Sequence, residues 1–152
     1  MIVYLVQHGD ALPETVDPER PLSEKGETQV AKLSGFLKKL PVYPGIILHS
    51  GKLRAKQTAE AISLALGGIR LEERPFLNPN DRIEPAKSEI AAYEKTLMIV
   101  GHMPFLGRLA SSLLIVREKD PLVEITQASL LVLRRTEDGY TIDCFIKNEY
   151  LK

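Results

Sequence analysis

The chain has 152 residues, of which 44% are hydrophobic and 26% charged, proportions typical of one globular domain with a sizeable core. Its 20 basic residues balance 20 acidic ones, which argues against a nucleic-acid partner, and no apolar run is long enough to cross a membrane. The single cysteine, Cys144, excludes an internal disulfide. We therefore expect one domain over residues 1–152, cytoplasmic, with no signal peptide.

The first part of the chain alternates between predicted strands and predicted helices. Residues 2–6 are apolar and rich in β-branched side chains, which predicts a buried strand, and a polar loop follows at residues 10–21. Ser23 is expected to cap the first helix, which Pro41 terminates. A second buried strand at residues 46–48 precedes a second helix, for which Ser50 is the expected cap and the glycines at 67–68 the expected end.

The same alternation continues to the end of the chain, where it changes to a hairpin. Asp138-Gly139 is a turn signal between the last two predicted strands. The remaining predicted elements are a strand at 69–73, helices at 85–93 and 104–114, and strands at 97–100, 129–133 and 140–146. This order predicts a three-layer α/β/α sandwich, with a mostly parallel central sheet and an antiparallel strand pair.

Chemically distinctive side chains follow three of the predicted strands. His8 follows the first strand, His49 and Ser50 follow the second, with Arg54 one turn later, and His102 follows the strand at 97–100. The carboxyl ends of parallel strands open on one edge of a sheet, where α/β proteins bind ligands. The sequence therefore predicts that these groups meet in space, although polar residues are common in loops of any kind.

The start of the second helix carries three cations, Lys52, Arg54 and Lys56. A helix N-terminus is already partly positive, so cations are disfavoured there unless an anion is bound. Arg54 is the better candidate to face that anion, because a guanidinium grips phosphate with two hydrogen bonds. We expect Lys52 and Lys56 to be solvated.

Two histidines and an arginine at one sheet edge favour phosphoryl transfer through a covalent phosphohistidine. A neutral imidazole is a competent nucleophile, and cationic donors stabilise the charge on the phosphoryl oxygens. Metal binding by His8, His49 and His102 is the alternative chemistry, but no metal-ligand spacing supports it. We therefore expect neither a metal nor another cofactor.

These residues lie in motifs that resemble those of the histidine phosphatase superfamily, which is phosphoglycerate mutase-like in fold. The short chain without a large inserted lid most resembles the SixA-type phosphohistidine phosphatases. The matching blocks are Gln7-His8-Gly9-Asp10-Ala11, Arg20-Pro21-Leu22-Ser23-Glu24-Lys25-Gly26, His49-Ser50-Gly51-Lys52-Leu53-Arg54-Ala55-Lys56-Gln57-Thr58-Ala59 and Val100-Gly101-His102-Met103-Pro104.

The resemblance implies a role for each matched position. His8 would be the nucleophile, and Arg54 and His102 would be catalytic residues that also hold the phosphoryl group. The other expected phosphate-binding residues are Gln7, Gly9, Arg20 and Ser50, with Arg20 at the rim and Ser50 shaping the pocket. Asp81 is the candidate proton donor, with a turn or helix-cap role as its alternative.

The chain departs from the family pattern at two positions. Gly51 stands where proline is usual, and Gln7 stands where the family has an arginine. The first implied function is a metal-independent phosphatase that acts through a covalent phosphohistidine on a phosphohistidine protein. Because Gln7 brings no charge, a weakly active or inactive phosphoprotein-binding module is an alternative. A phosphatase of small phosphate metabolites is another.

Overall fold

The computed structural model describes residues 1–41, 43–114 and 123–152 of the chain. The predicted alternation of strands and helices is confirmed, and so is the final strand pair. In chain order the elements are β1 (Ile2–Gln7), α1 (Glu24–Leu37), β2 (Ile46–His49), α2 (Leu53–Ala65), β3 (Leu71–Glu73), α3 (Glu84–Ala92), β4 (Leu97–Gly101), α4 (Phe105–Leu114), β5 (Leu130–Thr136), β6 (Gly139–Ile146) and a short 3-10 helix at Asn148–Tyr150.

The six strands form one sheet in the order β3-β2-β4-β1-β5-β6. Strands β3, β2, β4 and β1 are parallel, whereas β5 runs antiparallel to both of its neighbours. From β1 the chain continues toward the β3 edge, and from β4 it continues toward the β6 edge. The carboxyl ends of β1 and β4 therefore flank a topological switch point, where open α/β sheets bind their ligands.

Alternate residues of the strands supply the two faces of the sheet, as the pleat of a β-strand requires. Val3 and Leu5 of β1 pack in a cluster with α3 and α4, whereas Tyr4 and Val6 pack in a second cluster with α1 and α2. The expected three-layer α/β/α sandwich is thus confirmed. Both faces are covered, which explains why the inner strands are continuous apolar runs.

The predicted beginnings of the first two helices have different outcomes. Ser23 caps α1 and accepts a hydrogen bond from the N–H of Gly26 at 3.0 Å, as expected. The expectation that Ser50 caps α2 is wrong, because the N-cap residue is Lys52, which makes no side-chain capping bond. Ser50 lies two residues earlier and its hydroxyl is bonded to His102 instead.

The helix ends follow the local sequence. Helix α1 ends at Leu37, one turn before the expected proline terminator, and Gly67 and Gly68 close α2 with φ of 92° and 90°. That left-handed backbone is the usual helix ending that glycine allows. Within the described residues, no helix has both the length and the apolar character needed to cross a bilayer.

Candidate active site

The two histidines after β1 and β4 are neighbours across the sheet. Gln7 pairs with Gly101, and the N–H of His8 donates to the carbonyl of Gly101 at 3.0 Å. The rings of His8 and His102 are 4.9 Å apart between centroids and tilted by 57°. Both side chains are buried, with 8% and 2% exposure. The parallel register of β1 and β4 therefore brings together two imidazoles that are far apart in the sequence.

The hydrogen bonds of His8 fix its tautomer. Its Nδ1 lies 2.6 Å from the carbonyl oxygen of Gly9, which can only accept, so Nδ1 carries the proton. The lone pair is therefore on Nε2. Arg54 donates its Nε–H to that Nε2 at 3.2 Å. In the free protein the Nε2 of His8 is therefore oriented but covered by the guanidinium of Arg54. A bound anion would attract that guanidinium and uncover Nε2.

His102 is held by Ser50 from the next strand. The Nε2 of His102 lies 2.6 Å from the Oγ of Ser50, and Ser50 is completely buried. The Nδ1 of His102 is buried without a hydrogen-bond partner among the described residues. When the Ser50 hydroxyl donates to Nε2, Nδ1 carries the proton and becomes a free donor. An anion bound beside Arg54 would favour this tautomer, because a lone pair on the Nδ1 of His102 would repel the anion.

Arg20 reaches the site from the loop between β1 and α1. Ala11 and Leu22 form an isolated antiparallel bridge that closes this loop, and the Nε of Arg20 donates to the carbonyl of Leu12 at 3.0 Å. The backbone of Arg20 has a φ of 50°, which is strained for a residue other than glycine. Such strain is often kept where it positions a functional side chain.

A cavity of about 360 Å³ lies beside Arg54. Its wall contains three cations, Arg20, Lys52 and Arg54, together with two exposed glutamates at its edge. The lining residues are Glu14, Pro18, Glu19, Arg20, Gly51, Lys52, Leu53 and Arg54.

The two lysines that were expected to be solvated differ in the structure. Lys56 is exposed and forms an ion pair with Glu60 at 3.9 Å, as a solvated residue does. Lys52 is half-buried and lines the cavity with Arg20 and Arg54, so it keeps contact with solvent but lies closer to the site than Lys56. Helix periodicity could not identify this difference, because Lys52 precedes the first helical turn.

Burial and nearby cations keep both histidines neutral. The pKa of His8 falls from 6.5 to about 4, mainly through burial, with the charges of Arg54 and Arg20 adding to the effect. The hydrogen bond to Gly9 and the carboxylate of Asp10 oppose it. Burial likewise lowers the pKa of His102 to about 3, helped by the charges around it. At pH 7 the Nε2 of His8 is therefore unprotonated, and its lone pair can attack once Arg54 moves away.

These pKa values predict a titration that does not depend on turnover. In an NMR titration, the ring signals of His8 and His102 should keep their neutral shifts down to about pH 5, well below the ordinary histidine pKa near 6.5. The unfolded chain takes up these protons first, so the free energy of unfolding should fall as the pH decreases from 6.5 toward 4. Half-protonation of His8 near pH 6.5 would contradict this description of the site.

Gly9 has a packing role in the structure. A Cβ at Gly9 would lie 2.9 Å from the carbonyl oxygen of Gly26 and 2.9 Å from Val30, so only glycine lets the chain pass so close to α1. Its N–H donates to the Oγ1 of Thr58 at 3.1 Å. That donor is occupied, so the structure does not support the expected phosphate-binding role of Gly9.

Gln7 and Gly51, the two departures from the motif, each have a definite setting. Gln7 is the last residue of β1, directly before His8. Its Oε1 is buried without a hydrogen-bond partner in the described part of the chain. A Cβ at Gly51 would collide with the carboxylate of Glu73, so glycine at this position leaves room for that side chain.

The carboxylate that acts on His8 is not the one expected from the sequence. Asp81 lies in the loop after β3, and its Oδ2 accepts a hydrogen bond from the N–H of Asn78 at 2.8 Å. This is the turn-forming role that was the alternative for Asp81. Asp10 instead raises the pKa of His8 electrostatically, and it accepts a hydrogen bond from the hydroxyl of Ser23. Its place directly after His8-Gly9 was the signal in the sequence.

Three further residues hold the site in place without facing it. The N–H of Ala128, at a φ of 47°, is shared between the carbonyls of Gln7 at 3.0 Å and His8 at 3.2 Å. Gln57 accepts a hydrogen bond from the N–H of Leu22 at 2.7 Å and so ties the Arg20 loop to α2. Thr58 accepts from Gly9 as described above. Gln57 and Thr58 were visible in the third motif, His49–Ala59, whereas nothing in the sequence marked Ala128.

The Ser50 contact predicts a specific loss of anion affinity. Ser50→Ala removes the hydroxyl that fixes His102, so the proton of His102 is free to occupy either nitrogen. We expect vanadate binding, measured by calorimetry, to weaken by roughly 1–3 kcal/mol, the usual cost of an unsatisfied buried group. Ser63→Ala is the matched control, since Ser63 is also a buried serine but bonds only to the carbonyl of Ile69. Equal affinity in the two variants would show that Ser50 does not orient His102.

Comparison with known proteins places this geometry in a family. Residues 3–81 match the model of the histidine phosphatase superfamily (branch 1). The chain is 29% identical over 119 residues to the phosphohistidine phosphatase SixA of Escherichia coli, a match that covers 74% of both proteins.

No metal-binding group of three or more His, Cys, Asp or Glu residues is found in the part of the chain that the structure describes.

Solved structures share the fold over the whole chain. The protein histidine phosphatase SixA complexed with tungstate has a TM-score of 0.88 at 23% identity, with all of both chains covered. The alpha-ribazole phosphatase of Shigella flexneri has a TM-score of 0.76 at 17% identity, with 97% of each chain covered.

Proposed function

The chain belongs to the histidine phosphatase superfamily and is a phosphatase, and from this premise we propose that it hydrolyses phosphohistidine on a protein through a covalent phosphate on His8. The proposal treats residues 1–152 as one catalytic domain that needs no metal. His8 acts as the nucleophile. Arg54, Arg20 and the Nδ1–H of His102 bind the phosphoryl oxygens, while Ser50 orients His102.

The surroundings of His8 carry the proposal. Its Nδ1–H is fixed by the carbonyl of Gly9, and its Nε2 lone pair points toward Arg54. The ring of His102 lies 4.9 Å from that of His8 between centroids, and the positive charge of Arg20 acts on His8. A nucleophile with preorganised donors beside it is the arrangement that stabilises a phosphoryl group during transfer.

The reaction proceeds in two displacements. An incoming phosphoryl group draws Arg54 onto its oxygens, which uncovers Nε2. The lone pair of His8 then forms a P–N bond, while the P–N bond to the substrate imidazole breaks. That imidazole carries a proton on its other nitrogen, so it takes the electron pair and leaves neutral. Water next attacks phosphorus, the P–N bond to His8 breaks and its electron pair returns to Nε2, while the proton lost by the water passes to a phosphate oxygen and inorganic phosphate is released. The donors keep their places in both steps because the charge stays on the same oxygens.

The absence of a bonded carboxylic acid favours phosphohistidine over a phosphate ester. Among the described residues, His8 and His102 form hydrogen bonds with no carboxylate; their partners are Gly9, Ser50, Arg54, Gly101, Leu106 and Ala128. An alkoxide leaving group needs a positioned acid, which contributes about 10²–10⁴-fold to the rate. An imidazole is a far better leaving group, so this site suits it.

The relatives support this choice without deciding it. A phosphohistidine phosphatase is among them, and the structure bound to tungstate holds a tetrahedral oxyanion of the phosphate type. The Shigella protein acts on ribazole phosphate, which favours a small phosphate metabolite as the second candidate substrate.

The substrates can be separated by their leaving groups. We expect kcat/KM on a histidine-phosphorylated protein to exceed that on alkyl phosphates by about 10²-fold or more, with aryl phosphates between them. Activity should survive a chelator. Equal activity on alkyl phosphates would favour the metabolite phosphatase. Vanadate binding without turnover of any substrate would leave a phosphate-binding module and overturn the proposal.

A further inference from the structure

We propose that Lys52 supplies the third positive charge of the phosphate site, in place of the arginine that the superfamily motif has at position 7. Lys52 is thus assigned as a substrate-binding residue that contacts the oxygens of the phosphoryl group from the cavity side. The inference rests on the proposed function, since it names a further residue for the same site.

The first observation is that three cations without an ion-pair partner share one cavity. Arg20, Lys52 and Arg54 line it, and in residues 1–41, 43–114 and 123–152 none of them has an ion-pair partner within 4.0 Å. Glu14 and Glu19 also line the cavity but are exposed and form no such pair with the cations. The cavity keeps an excess of positive charge, and an anion bound among the three cations would relieve their repulsion.

The second observation is where Lys52 stands relative to α2. It is the N-cap residue of a helix that has no acidic residue in its first turn and no side-chain cap. Lys52 and the first two residues of α2, Leu53 and Arg54, all line the cavity, so the positive end of the helix dipole lies beside it, which is the setting of an anion site.

The third observation is a buried nitrogen near the site that has no hydrogen-bond partner. The buried Nδ1 of His102 has no partner among the described residues, although its Nε2 is bonded to Ser50. The charge of Lys52 is felt by this same ring, since it is one of the cations that lower the pKa of His102. Lys52 therefore lies close enough to His102 for its charge to act on the ring.

Position 7 explains why this chain needs the lysine. Gln7 is neutral and its Oε1 is a buried acceptor without a partner, so it adds no positive charge to the phosphate oxygens. A dianion between His8 and His102 is then balanced by Arg54 and Arg20, with Lys52 as the remaining cation on the cavity wall. The site keeps three charges although the motif has lost one.

A paired substitution tests the assignment without relying on turnover. We expect Lys52→Met to weaken vanadate binding, measured by calorimetry, by about tenfold, because a charge-assisted bond is lost. Lys52→Arg should restore most of the affinity. Lys56→Met is the matched control, since Lys56 lies on the same helix but is exposed and paired with Glu60, and it should change affinity less than about twofold. Equal losses in Lys52→Met and Lys56→Met would overturn the assignment.

The link to position 7 is tested by combining substitutions. Gln7→Arg should restore vanadate affinity in the Lys52→Met background, but change it less than about threefold in the natural background, because the two cations replace each other. An equal gain in both backgrounds would show that Lys52 does not fill the role of the missing arginine. If these results hold but phosphohistidine is not hydrolysed, the proposed substrate fails while the assignment of Lys52 stands.

Discussion

His8→Asn is expected to abolish covalent phosphorylation and to lower kcat/KM by at least about 10³-fold, since the nucleophile of a covalent mechanism has no substitute. The fold should be unaffected. Asparagine can donate its amide hydrogen to the carbonyl of Gly9, as the Nδ1–H of His8 does. The variant thus removes Nε2 and keeps the local hydrogen bond.

The measurement is isotope transfer from a phosphohistidine protein, followed by acid and alkali treatment. The label should be lost in acid and kept in alkali, because the P–N bond of a phosphoramidate is labile in acid and stable in alkali. His49→Gln is the control, because His49 is buried at the end of β2 and makes the same kind of contact, with Nδ1 at 2.8 Å from the carbonyl of Ser50. Labelling must persist in that variant. A stable label in His8→Asn would place the phosphate elsewhere and refute the mechanism.

The fold could be predicted from the sequence because the strands and helices have clear local signals. The central strands β1 and β4 consist of apolar residues and tyrosine apart from Gln7 at the end of β1, since each strand is covered on both faces. Once β1 and β4 were expected to be parallel, His8 and His102 followed as neighbours at one edge. The predicted strands and helices were confirmed where consecutive residues show a buried apolar run or a turn signal.

The failures share one physical cause, which is that contacts between distant residues overrode local rules. Ser50 is a good N-cap by composition, yet its hydroxyl bonds to His102, 52 positions away in the sequence. Gly9 matches the phosphate-binding motif, but the sequence does not show that its N–H donates to Thr58, 49 positions away. Nor does the sequence around Lys52 show that this residue lines one cavity with Arg20. Local patterns do not encode these pairings.

Arg54→Ala is expected to have two opposite effects, because Arg54 has two roles. With phosphate bound, the guanidinium neutralises the oxygens, so its loss should lower kcat/KM by about 10²–10³-fold. In the free protein its Nε–H covers the Nε2 of His8 at 3.2 Å. The alanine variant therefore exposes the lone pair, and carbethoxylation of His8 should become faster while turnover becomes slower.

Arg54→Ala should also change the pKa of His8. Burial is the largest cause of its low value, and the charge of Arg54 is a smaller one, so removal of Arg54 should raise the pKa of His8 while leaving it below 6.5. Arg54→Lys should keep the low pKa but recover only part of the rate, since an ammonium cannot form two parallel bonds. Lys56→Ala, exposed on the same helix, should change neither reactivity nor turnover. Slower carbethoxylation in Arg54→Ala would mean that Arg54 activates the imidazole and does not cover it, which would reverse the order of events proposed for the first displacement.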